Sequence, residues 1–335
     1  MPSISTPRAP RPTPALKSSA PIFVDPSAAR IALRGELIAS AEDEIASVQA
    51  GRVGRDLHLW VAGTSMTALT VDAKLMVVLP KILRPDAQDA LIVAFGMGSS
   101  YREALRLGMR TTGVELVPSV PQMFGYYFSD ASSVLADPRG RLVIADGRNH
   151  VELTGDRYDI IVVDPPPPIR TAGAAVLYSR EFYAASAARL TDGGMMMEWI
   201  PYDQSVDEFR SHVRTFSDVF DHVLIAFGPG GYGVFMFGSH APLAFDPVTV
   251  NAILARPGIA DDLAASPDGR GRTARGWSAL VPLLVWLRDD AVRRFAGDAP
   301  LITDDRPRSE YFLLRSLFGA SSPAMTETSL LAAAR

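Results

Sequence analysis

Apolar and polar positions change rhythm several times along the chain. Leu57, Leu59 and Val61 alternate with His58, Trp60 and Ala62 before Gly63-Thr64, a period of two that predicts a small hairpin over residues 56–70. Residues 25–49 read instead as helical patches. Leu75, Met76 and Leu79 recur at helical spacing, which predicts a helix over 72–83 that stops near Pro80 and Pro85. The middle of the chain alternates strand and helix. Residues 91–95 form a wholly apolar run ending in Gly96-Met97-Gly98-Ser99-Ser100, with a helical stretch to Leu107. Residues 111–115 form a second strand ending in Glu115, and a helix carrying Tyr126 and Tyr127 follows. Residues 141–146 form a third strand ending in Asp146, and 158–164 a fourth ending in Asp164 and four prolines. Ser179 is placed to cap a helix to Leu190. A fifth strand covers 195–200, and strands at 223–227 and 233–237 are joined by a Gly-rich turn. Short turns and strands that are apolar throughout are the signature of a parallel sheet covered on both faces. The last two strands suit an antiparallel edge hairpin. Beyond about Pro242 the chain reads as helical and polar, with the loop at 266–272 and then Asp304-Asp305-Arg306-Pro307.

Composition narrows the classes. The 335 residues carry 33 Lys plus Arg against 37 Asp plus Glu, a net charge of −4, which argues against a nucleic-acid binder. Absence of cysteine excludes disulfides, thiolate nucleophiles and Cys-ligated zinc, and the five histidines have no metal-ligand spacing, so no metal is expected. No apolar run approaches a membrane span, and residues 1–21 lack a signal-peptide core, so a soluble cytoplasmic protein is expected. The expected organisation is a flexible Pro/Ser/Ala-rich tail at 1–21, an N-terminal helix and β-hairpin region at 22–75, a Rossmann-like nucleoside-binding domain at 76–242 and a helical C-terminal segment at 243–335.

In an open parallel sheet, ligands bind beyond the carboxyl ends of the strands. Four consecutive strand ends carry Gly96-Met97-Gly98, Glu115, Asp146 and Asp164. Each has a plain reading as a turn or a helix cap, yet the set in this order describes a nucleoside pocket. Glycines free backbone N–H groups to face a ligand. Glu115, 17 residues after Gly98, is spaced to take two ribose hydroxyls, and Asp146 to accept from an adenine amine. A pyrophosphate prefers a third glycine where Tyr101 stands, so S-adenosylmethionine-type binding is favoured over NAD.

These residues resemble the spermidine synthase-like (polyamine aminopropyltransferase-like) branch of class I S-adenosylmethionine-dependent enzymes. The resemblance runs over residues 57–238. It rests on Gly63-Thr64-Ser65-Met66-Thr67, on 72–80 and 96–103, and on Val114-Glu115-Leu116-Val117, Asp146-Gly147, 158–168 and Tyr178-Ser179-Arg180-Glu181-Phe182-Tyr183. Thr303-Asp304-Asp305-Arg306-Pro307, followed by Glu310-Tyr311-Phe312, is similar to the closing motif of a subgroup often fused to membrane segments, which this chain lacks. The resemblance implies a seven-stranded Rossmann-like α/β fold with a small N-terminal β-hairpin domain. It implies cofactor-binding roles for Gly96, Met97, Gly98, Glu115, Asp146 and Gly147, and a reacting-centre role for Asp164. It implies a transferase of polyamine biosynthesis using S-adenosylmethionine or its decarboxylated form and a small-molecule amine acceptor, and it is compatible with a homodimer.

Some positions depart from that branch. Met97 stands where the branch has an acid that grips the transferred aminopropyl amine, Pro167 where it has a second acid, and residues 75–78 where it has polyamine-pocket tyrosine and histidine. A pocket stripped of carboxylates would leave a dicationic diamine uncompensated, so putrescine is expected to be a poor acceptor. Methyl transfer to a small molecule and a non-catalytic nucleoside-binding relative are the alternatives. Asp164-Pro165-Pro166 is similar to the Asp-Pro-Pro-Tyr loop of amino methyltransferases, or is a stiff donor-free pocket floor. Tyr178 and Trp199 either wall the acceptor site or belong to the core. Asp304 and Asp305 either close the site as catalytic groups or cap a helix.

Overall fold

The structure, a computed structural model, describes residues 35–165, 173–202, 204–311 and 323–334. The expected tail at 1–21, the candidate Pro166, the substituted position Pro167 and Phe312 lie outside the described residues. Four antiparallel strands come first, β1 (Glu36–Glu42), β2 (Ser47–Val53), β3 (Asp56–Val61) and β4 (Thr64–Ala68), paired in chain order. The expected hairpin is β3 and β4. The helical reading of 25–49 is corrected: β1 and β2 occupy residues 36–53 of this region. Alanine and glutamate favour helix in isolation. Here Val48 and Ala50 are instead buried on the inward side of β2, and tertiary packing overrides local preference.

Helix Val71–Leu83 follows, capped by the Thr70 hydroxyl. It runs through Pro80 and ends before Pro85, whose preceding residue is held out of helical geometry. The main sheet then forms from β5 (Asp89–Val93), β6 (Arg110–Glu115), β7 (Gly140–Ile144), β8 (Tyr158–Val163), β9 (Leu190–Pro201), β10 (His222–Phe227), β11 (Gly233–Ser239) and β12 (Val285–Arg288). Its order is β12-β10-β11-β9-β8-β5-β6-β7. The block from β9 to β7 is parallel, and β11, β10 and β12 add antiparallel pairs. The expected helix with Tyr126 and Tyr127 is instead a 3-10 turn, Pro121–Tyr126, and a short helix, Ala131–Leu135.

The expected seven strands are therefore eight among the described residues, and the C-terminal segment is not helical throughout. Val285-Trp286-Leu287 covers the open edge of β10, where Trp286 stacks on Phe227 at 5.1 Å and Leu287 is buried. Both faces of the sheet are packed. Ile92, Val162, Met197, Trp199 and Phe235 face helices Val71–Leu83 and Ser99–Arg106. Val93, Val163, Met196 and Met236 face helices Arg180–Ala188 and Val206–Ser217. The chain leaves β5 toward β6 and β7, then returns to β8 on the other side. The strand order thus reverses between β5 and β8, and a crevice opens beyond their carboxyl ends.

Candidate active site

The β5 strand ends in a loop with positive φ at Ala94, Gly96 and Gly98. Gly98 is required for packing: a Cβ there would come within 2.5 Å of the Phe124 ring. Gly96 faces open space, its nearest neighbour on that side being the Thr67 methyl of β4 at 4.0 Å. Its N–H donates to Glu115 Oε2 at 3.2 Å, and Glu115 Oε1 accepts from the Val117 N–H at 3.0 Å. Burial raises the Glu115 carboxyl, while backbone N–H groups of Val117, Gly96, Leu116 and Phe95 pull it back toward the anion. A carboxylate offers about four lone-pair sites. Backbone donors engage both of its oxygens. Asp146 lies at the next strand end, where Oδ1 caps helix Gly147–Leu153 by accepting from Asn149 N–H at 2.8 Å. That cap uses one of its two oxygens. Gly147 opens this helix against Val93. Met97 is buried in the apolar core.

Beside this corner is a cavity of about 440 Å³. Ser65, Met66, Thr67 and Ala68 of β4 form one wall, and Thr70, Asp72, Ala73 and Met76 of the following helix another. Asp164, Pro165, Trp199, Pro201, Tyr202, Gly231 and Tyr232 complete it. Asp164 follows β8, held to β5 by its N–H on the Val93 carbonyl at 3.3 Å. Its side chain is partly exposed into the cavity, yet the surrounding protein pushes its carboxyl up to about 7. Tyr202 Oη is buried without a hydrogen-bond partner among the described residues.

Of the candidates read from the sequence, Asp164, Pro165 and Trp199 come together on this cavity, and Gly96 borders it through Thr67. Tyr178 does not. It ends the 3-10 turn Ala174–Tyr178 and inserts into the opposite face of the sheet, edge-to-face on His212 at 4.7 Å. Asp304 and Asp305 do not line the cavity either. Asp304 is clamped by Arg148, both guanidinium contacts at 2.6 Å, which lowers its carboxyl below the usual range. Asp305 is exposed and accepts from the Thr303 hydroxyl at 2.6 Å.

The expectation of a cavity without carboxylates is corrected. Asp72 lies on its wall and is 1% exposed, so the cavity holds two acids. The argument against putrescine, which needed uncompensated charge, falls with it. Asp72 stands two residues after a helix cap, where an acid reads simply as a partner of the helix dipole. Tyr202 and Tyr232 are likewise site residues that the strand-end reasoning missed.

Comparison with known proteins agrees with this architecture. Residues 70–204 match the spermine/spermidine synthase domain. The polyamine aminopropyltransferase of Corynebacterium efficiens is 40% identical over 120 residues, covering 34% of this chain and 23% of that protein. That of Thermoplasma volcanium is 32% identical over 111 residues, 33% and 40% of the two chains. That of Yersinia pestis is 28% identical over 198 residues, 56% and 66%. The aligned stretch thus spans a quarter to two fifths of the length of the first two of these relatives. Among solved structures, spermidine synthase from Thermotoga maritima has a TM-score of 0.56 at 24% identity, covering 65% of this chain and 78% of that one. A probable spermidine synthase from Corynebacterium glutamicum has a TM-score of 0.57 at 16% identity, covering 79% and 96%. The methyltransferase and non-catalytic alternatives find no support in these relatives. No helix among the described residues is long and apolar enough to cross a membrane. Residues 70–204 are therefore similar to the spermine/spermidine synthase domain, and they lie on a Rossmann-like sheet preceded by an antiparallel one.

Proposed function

We propose that the protein is an aminopropyltransferase that moves the aminopropyl group of decarboxylated S-adenosylmethionine to an amine nitrogen of a polyamine-type acceptor. The observation that carries this reading is the cavity beside Gly96, with Asp164 and Asp72 on a wall of mixed polar and apolar residues. The donor is a substrate and supplies a carbon already activated by its sulfonium sulfur. The protein's work is alignment, exclusion of water and removal of one proton. Glu115 accepts from the ribose hydroxyls, and the second oxygen of Asp146 accepts from the adenine amine. Met66, Pro165 and Trp199 shield the transfer from water. The acceptor nitrogen's lone pair forms the new C–N bond as the C–S bond breaks and methylthioadenosine leaves. Asp164 takes the proton shed by that nitrogen. Asp304, through Arg148, holds the helix that Asp146 caps.

Two measurements test this. Purified protein incubated with decarboxylated S-adenosylmethionine and putrescine should yield spermidine and methylthioadenosine in equal amounts. Titration calorimetry should then show Glu115→Ala weakening donor binding by about 10²-fold, the worth of two charge-assisted hydrogen bonds. Unchanged donor affinity in that variant would remove Glu115 from the site, and absence of product would sink the reaction.

A further inference from the structure

The antiparallel sheet reaches the nucleoside corner through the side chain of Asp43. This residue opens the turn between β1 and β2, where its Oδ1 accepts from the Ile45 N–H at 2.8 Å and the Ala46 N–H at 2.9 Å. Those two bonds serve the hairpin itself. The other oxygen serves a distant segment: Oδ2 accepts from the Ser119 N–H at 2.7 Å, 76 residues along the chain. Burial disfavours the Asp43 anion, yet the N–H groups of Ala46, Ile45 and Ser119 and the Ser119 hydroxyl hold its carboxyl down to about 2.

Ser119 lies in the loop that leaves Glu115. The Val120 N–H donates to the Val117 carbonyl at 3.0 Å, which closes a tight turn over residues 117–120 with Pro118 at its second position. Proline fixes one torsion there, so the turn moves as a unit. At its first residue, the Val117 N–H holds Glu115 Oε1 at 3.0 Å. Ser119 is 1% exposed, so its N–H has no water to turn to when Asp43 is removed. We infer that Asp43 is a positioning residue for the nucleoside: by holding Ser119 it fixes the 117–120 turn and, through the Val117 N–H, the carboxylate that meets the ribose. This rests on the ribose reading of Glu115 and adds to it a residue from the other sheet. Without the tie, the competent placement of Glu115 is only a fraction of the free protein, and apparent affinity falls by that fraction.

The test measures calorimetric affinity for methylthioadenosine in the wild type, Asp43→Asn, Asp43→Ala and Tyr127→Phe. Asparagine keeps an oxygen for Ile45 and Ala46 but turns an amide N–H toward the Ser119 N–H, donor against donor. Tyr127→Phe deletes a different bond to the antiparallel sheet, the Tyr127 hydroxyl on the His58 carbonyl at 3.0 Å, which involves no residue of 115–120. Affinity should fall about 10-fold in Asp43→Asn and at least as far in Asp43→Ala, and by less than about 2-fold in Tyr127→Phe. At saturating donor, kcat and KM for putrescine should keep their wild-type values in Asp43→Asn. Amide hydrogen exchange over residues 115–120 should quicken in the same variant. Wild-type affinity in both Asp43 variants overturns the inference. An equal loss in Tyr127→Phe, or a rise in putrescine KM that matches the donor loss, marks general loosening of the sheet and overturns it too. If Glu115→Ala binds methylthioadenosine like the wild type, the ribose reading falls and Asp43 with it. If the wild type binds the nucleoside without transferring to putrescine, the transfer reading falls, and affinity and exchange alone decide the role of Asp43.

Discussion

Asp164→Asn is expected to lower kcat by about 10²- to 10⁴-fold, the usual worth of a positioned general base, with nucleoside affinity unchanged. Asparagine is nearly the same size and keeps the backbone link to Val93, so the loss isolates proton acceptance. The pH profile carries the sharper signature. With its carboxyl raised to about 7 by burial, Asp164 is largely protonated in mildly acidic solution and cannot take a proton there. Since the acceptor must also be a free amine, the rate should climb about a hundredfold per pH unit below about 7 and bend to about tenfold per unit as Asp164 ionises. A second rise toward pH 10 belongs to the acceptor, whose free amine titrates near the range of lysine, about 10.4. Asp164→Asn should lose the bend near 7 and keep the upper rise. Asp164→Glu should retain a bend, because the ionisable group is still present. A wild-type profile with no bend between about 6 and 8, or an Asn variant with full turnover, would mean that the proton leaves by another route.

The parts of this arrangement that were legible in the sequence are those set by local chemistry. Strands β5 and β8 are buried on both faces, so they read as apolar runs, and their terminal residues mark one edge of the sheet. Asp164 could be found that way because it directly follows such a run, and Glu115 because it ends the strand that comes next after β5. Strands β1 and β2 were hidden by alanine and glutamate, whose preference for helix is overridden only once Val48 and Ala50 have a surface to pack on. Strand β12 is four residues long, and its reason for existing is the free edge of β10, which lies 58 or more residues earlier in the chain. Asp268 meets the N–H of Val71 across a separation of 197 residues, and no local pattern announces such a meeting. Asp304 was misleading for a related reason: its motif is conspicuous, and its partner Arg148 is visible only in the fold.

Arg102→Met is expected to destabilise the protein by about 3–5 kcal/mol, the cost of removing one partner from a buried ion cluster. The Arg102 Nε sits 2.8 and 3.0 Å from the two oxygens of Asp130, and Nη1 lies 3.0 Å from Glu103 and 2.8 Å from Asp262. Lys74 completes the group with Asp262 at 2.8 Å. The cluster is buried, and Glu103 is 0% exposed. Methionine replaces the aliphatic stem and its packing on Phe128, so the difference reports charge more than volume. A urea titration should show a lower midpoint at unchanged m. The pH dependence has a definite sign. Burial and the neighbouring Asp262 push Glu103 up to about 8, so the folded state holds a proton that the unfolded state releases above its ordinary value, 4.5. Stability from this group falls as pH rises through that interval. Removing Arg102 raises Glu103 further, so the folded variant keeps that proton where the folded wild type releases it, and the variant's deficit should widen above about pH 8. A deficit under about 1 kcal/mol at every pH would mean that the carboxylates are relieved by water. The cluster joins helix Val71–Leu83, which begins beside Asp72, to the helix before Asp268 and to the helix that opens at Gly98. Loosening it should therefore raise KM for the acceptor in folded protein as well, because the cavity wall formed by Asp72, Ala73 and Met76 stands on the first of these helices.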